Sequence, residues 1–61
     1  MASSSLISTV NGYENYIQVH GVDEQVIDAM EEAARVAILT EKDIEYGLKV
    51  SARAKELTEQ F

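Results

Sequence analysis

The chain has 61 residues, with 11 acids against 5 bases for a formal net charge of −6, and it contains no Cys, Pro or Trp. The missing cysteines remove disulfides and thiolate metal sites, and a single histidine removes His-rich zinc sites. So few cations argue against a grip on a phosphate backbone, which needs clustered Lys and Arg.

A chain this short buries only about 60% of the surface that its unfolded form exposes. Self-association or docking on a larger body is the expected added support. A hydrophobic fraction of 46% suits a folded chain rather than a disordered one. One small domain over 1–61 is expected, with residues 1–4 as a flexible arm. There is no run of about 20 apolar residues, and Met1 to Ser5 lacks the pattern of a signal peptide. An intracellular, soluble protein with no membrane contact is therefore expected; a place in a virus particle is also compatible. Charge is uneven along the chain: Glu14 to Glu45 holds nine acids against Arg35 and Lys42, whereas Tyr46 to Phe61 carries a net +1.

Three stretches show helical periodicity, and none shows strand alternation. In the first, about Ser5 to His20, the residues Leu6, Val10, Tyr13, Ile17 and His20 form one stripe. The serine run offers an N-cap, and Gly21 suits a left-handed residue after the helix end. Gly12 costs about 1 kcal/mol relative to Ala in mid-helix. A continuous helix is the expectation, and a turn at Asn11-Gly12 is the rival.

The second helix is expected from about Asp23, its N-cap, to Ala37. Val22, Val26, Met30, Ala33 and Ala37 form one stripe, with Ile27, Ala34 and Ile38 beside it. This apolar arc is wide enough for a central helix with two neighbours. Glu24, Asp28, Glu31, Glu32 and Arg35 share the remaining face.

The third helix is expected from about Glu41 to the end, with Thr40-Glu41-Lys42-Asp43 as a capping-box variant. It also carries two stripes. Ile44, Leu48 and Ala52 form one; Gly47, Val50, Ala54, Leu57 and Phe61 form the other. The connections are short, which favours packing of consecutive helices. The expected architecture is all-α: a helical hairpin plus an N-terminal helix.

Residues that carry chemistry are sparse. His20 has no nucleophile placed beside it and reads as a capping or surface residue. Glu31-Glu32 with Asp28 lacks the Glu-x-x-His pairs of a di-iron bundle and the spacing of a calcium loop, so no metal is expected. Phosphate-binding glycine motifs are missing, so no cofactor is expected, and three short helices leave little room for an enclosed active site. Tyr13, Tyr16, Tyr46 and Phe61 lack the basic groove that would accompany base stacking, so no nucleic acid is expected.

Leu39-Thr40-Glu41-Lys42-Asp43-Ile44-Glu45-Tyr46-Gly47-Leu48-Lys49 resembles the last loop and helix of a histone fold. The resemblance covers about 11 of 61 residues and would place Gly21 inside a long central helix. The basic DNA-contacting residues of that fold have no counterpart here, and no function is carried over.

The expected function is a non-catalytic protein–protein interaction module, working as a homo-oligomer or as an accessory subunit of a larger assembly. The excess of apolar stripe motivates it, and the expected interface is Tyr16, Tyr46, Val50, Ala54, Leu57 and Phe61. The alternative is an acidic, DNA-mimic-like antagonist of a basic DNA-binding partner, working through Asp23, Glu24, Asp28, Glu31 and Glu32.

Overall fold

Each helix of the computed structural model, which describes all 61 residues, begins at a side-chain cap. Ser3 caps α1 (Ser4–His20), its hydroxyl accepting from the Leu6 N–H at 3.1 Å. Asp23 caps α2 (Glu24–Arg35), accepting from Val26 N–H at 2.8 Å. Asp43 caps α3 (Ile44–Gln60), accepting from Tyr46 N–H at 3.0 Å. A cap satisfies one of the four N–H groups that a helix start leaves without a partner.

The first helix runs unbroken through Asn11-Gly12. It ends at Gly21, whose φ of 83° lies in the region where a Cβ is costly. Gly21 therefore separates α1 from α2, and the long central helix implied by the histone-fold resemblance is not formed. The third helix starts later than its sequence suggests. Residues 36–40 continue α2 as a wide turn, closed by Glu41 N–H to Val36 C=O at 3.0 Å and Asp43 N–H to Ala37 C=O at 2.8 Å. That turn absorbs Thr40, and Lys42 then takes a left-handed φ of 58°. The cap passes to Asp43 for this reason. The two connections are residues 21–23 and 41–43.

The core draws on all three helices. Leu6 and Val10 come from α1, Ile27, Met30, Ala33 and Ala34 from α2, Ala37 from the wide turn, and Val50, Ala54 and Leu57 from α3. Met30 and Leu57 have no exposed surface. Tyr13, Ile17, Val22, Val36 and Tyr46 pack around them. The α2 helix is central, as its wide apolar arc implies, and its tightest seam is with α3. Gly47 makes that seam possible: a Cβ there would run into the side chain of Ile38 and sit 3.1 Å from the Ala34 carbonyl.

Ala2 and Ser3, expected in a loose arm, join this body. Ala2 is buried and its N–H donates to Asp43 Oδ2 at 2.7 Å. Ser3 donates from its N–H and from its hydroxyl to the Glu41 carboxylate. The Cα radius of gyration is 10.8 Å, against about 10.5 Å for a folded domain of this length. One copy thus closes a core by itself.

Candidate functional site

The two apolar stripes of α3 lie on opposite sides of the helix, because 3.6 residues per turn sets Ile44, Leu48 and Ala52 roughly half a turn from Val50, Ala54 and Leu57. Only one can face α2. The structure turns the Gly47–Val50–Ala54–Leu57 stripe inward, and these four residues are buried. The expected interface is corrected here: Val50, Ala54 and Leu57 are core, out of reach of any partner of the folded chain. Tyr46 is half-buried against the same core. Burial and the neighbouring Asp43 carboxylate raise its phenol above the usual range. Of the expected interface residues only Phe61, 69% exposed, and Tyr16 stand at the surface.

The outward stripe is the one left open. Ile44 is 61% exposed and Leu48 60%, with Ala52 exposed one turn further on. Leu39, at the end of the wide turn, is 66% exposed. Glu45 and Lys49 flank the stripe, both exposed and neither in an ion pair. The sequence did hold a signal for this choice. A glycine on one stripe of an otherwise good helix marks the side where another backbone comes close, and Gly47 belongs to the buried stripe.

Tyr16 sits at the α1–α2 corner. Its hydroxyl donates to Asp23 Oδ2 at 2.6 Å, and its ring lies 4.8 Å from the exposed His20 ring. The Tyr16 hydroxyl and the Val26 N–H together hold the Asp23 carboxyl below its usual range. That hydrogen bond likewise raises the Tyr16 phenol. Tyr13 and Tyr16, with Thr9, Gly12, Gln25, Val26 and Ala29, line an open groove of about 370 Å³ between α1 and α2.

The acids divide by use. Asp23 is spent on its cap and on Tyr16. Glu32 pairs with Arg35 at 2.8 Å on the same face, which raises the guanidinium above its usual range. Glu24, Asp28 and Glu31 are exposed and make no ion pair. Arg53 of α3 reaches across to α1. It donates to Glu14 of α1 at 2.8 and 3.0 Å and to Glu56 of its own helix. These carboxylates raise its pKa far above the usual value.

No grouping of three or more His, Cys, Asp or Glu side chains in the structure suits a metal ion. No helix is long and apolar enough to cross a membrane. Comparison of the chain with protein-family models, with curated proteins and with solved structures gives no match in any of the three.

Proposed function

We propose that the protein is a non-catalytic helical interaction module, acting as a homo-oligomer or as a small accessory subunit of a larger assembly. The supporting observation is the outer face of α3, where Ile44 and Leu48 stay about 60% exposed although the chain has already closed its core. Single exposed apolar residues are ordinary on protein surfaces. Two large ones at i and i+4, continued by Ala52, form a stripe of the kind that covers a partner helix.

A photo-reactive residue at position 48 tests this in cells. Covalent adducts are expected from position 48 and not from Asn15, which is exposed on the polar side of α1. No adduct from position 48 would overturn the reading. A second reading, an acidic antagonist of a basic DNA-binding protein, draws support from Glu24, Asp28 and Glu31, which stand exposed and unpaired. Adducts from position 28 with none from 48 would move the assignment to that acidic face.

A further inference from the structure

We infer that α1 is a hinged lid: it undocks from the α2–α3 hairpin as one unit, turning at Gly21, while the hairpin stays folded. The outer stripe of α3 takes no part in this motion.

Burial is divided unequally among the helices. Of its 17 residues α1 buries two, Leu6 and Val10, both in its first half. The shorter α2 buries five of 12. From Asn11 to His20 no residue of α1 is fully buried; Tyr13, Glu14 and Ile17 are half-buried and Val19 is exposed. An element with few buried contacts opens at a lower free energy than the core beside it. Gly12, in the middle of α1, weakens the helix further.

The seams differ in the same sense. Gly47 lets α3 close tightly on Ile38 and Ala34, whereas a cleft runs along each side of α1. The groove against α2, about 370 Å³, is lined by Tyr13, Tyr16 and Val26. The cleft against α3, about 190 Å³, is lined by Val10, Glu14, Val50 and Arg53 and reaches down to Met30. The lid thus rides on the Val26–Met30 ridge of α2 without closing on either neighbour. Its opening uncovers that ridge, where Met30 has no exposed surface in the closed form.

Polar ties hold the lid shut at three places. At its start the Ala2 N–H donates to Asp43, and Ser3 donates to Glu41. In its middle Arg53 donates to Glu14 at 2.8 and 3.0 Å. Near its end the Tyr16 hydroxyl donates to Asp23 at 2.6 Å. Each acceptor is a half-buried carboxylate, still in reach of water, where such ties are weak and easily remade. The hinge is free to turn. Gly21 is exposed, has a φ of 83°, and has nothing within 4 Å of a Cβ placed there, so its dihedrals change without disturbing any packing. Once undocked, α1 unwinds, because an isolated helix of this length is marginal in water.

Amide hydrogen exchange of the full chain, read residue by residue by NMR, tests the lid. Amides from Val10 to Ile17 should share one protection factor and one dependence on low denaturant. That protection should lie at least about tenfold below that of the slowest amides of α2 and α3. Exchange through a partial opening does not respond to a change that weakens only what stays folded. Lys55 is exposed and unpaired on α3, so Lys55→Gly should speed the slowest α2 and α3 amides by about fivefold through helix propensity and leave α1 unchanged. Leu6→Ala should speed the α1 amides by at least about tenfold, with the hairpin amides still the slowest. A Lys55→Gly effect of equal size in α1 overturns the lid, because the three helices then open together. Loss of protection throughout the chain in Leu6→Ala overturns it as well. Protection that merely declines toward the ends of α1, with its middle as slow as the hairpin, is fraying and also overturns it.

Discussion

The two faces of α3 have nearly the same composition and opposite fates. The inner face carries Gly47, Val50, Ala54 and Leu57; the outer carries Ile44, Leu48 and Ala52. By apolar content the outer face is as good a candidate for the core. Small residues decide between them. Gly47 lets the helix come down on Ile38 and Ala34, and Ala33, Ala34, Ala37 and Ala54 are all buried around that seam. Branched Ile44 and Leu48 would hold the same two backbones further apart. Close packing selects the thin side of a helix, because dispersion energy falls steeply with even a small gap.

Substitutions on the two faces, with one on α1 for comparison, press on this contrast. The largest effect is expected on the inner face. Leu57→Ala removes a fully buried side chain and should cost about 3–4 kcal/mol in urea unfolding. Gly47→Ala comes next, at about 1–3 kcal/mol, because the added methyl overpacks against Ile38 and the Ala34 carbonyl. Ile38→Ala in the same background should recover part of that loss, and a loss that persists in full would mean that Gly47 matters for backbone reasons instead.

Gly12 gives the opposite sign. Nothing lies within 4 Å of a Cβ placed there, so Gly12→Ala should raise stability by about 1 kcal/mol through helix propensity alone. On the outer face, Leu48→Lys should change unfolding free energy by no more than about 0.5 kcal/mol, because Leu48 is 60% exposed and takes little part in the core.

The subtlest effect is in pH. The Asp43 carboxyl is held below its usual range by the Tyr46 N–H, the Ala2 N–H and the positive N-terminus; Asp23 is held low mainly by the Tyr16 hydroxyl and the Val26 N–H. A carboxylate with a lowered folded-state pKa adds stability that is fully present above its unfolded value, 3.8 here, and is lost as pH falls through the lower folded value. Replacement of Asp43 by Asn keeps a capping oxygen and removes the titration, so thermal unfolding of Asp43→Asn should depend less on pH on the acid side than the native chain does. An acid limb of unchanged slope would contradict the assignment.

Most of the fold was legible in the sequence. The three helical periods, the caps at the serine run and Asp23, the left-handed Gly21 and the central position of α2 all follow from spacing and local chemistry. The start of α3 was misread for a local reason. Thr40-Glu41-Lys42-Asp43 satisfies a capping pattern, but its first residue is drawn into the wide turn that brings Ala37 and Ile38 onto α3. The interface was misread for a tertiary one. Periodicity finds stripes and is blind to which of two opposed stripes meets the next helix. Val50, Ala54 and Leu57 form the longer coiled-coil-like series, and that regularity served the core. Tyr16 was rightly placed at the surface, yet its hydrogen bond to Asp23 depends on the turn at Gly21, which brings two helix ends together and leaves no trace in either helix's own pattern.

The central claim is that α3 turns Leu57 inward and Leu48 outward. Because the native chain has no cysteine, Leu48→Cys and Leu57→Cys each provide a single thiol, and the most direct measurement is their labelling rate in dilute, folded protein. At position 48 the rate should lie within about tenfold of the unfolded chain, and at position 57 it should be slower by about a hundredfold or more, limited by opening of the core. Fast labelling at 57 with protection at 48 would contradict the account.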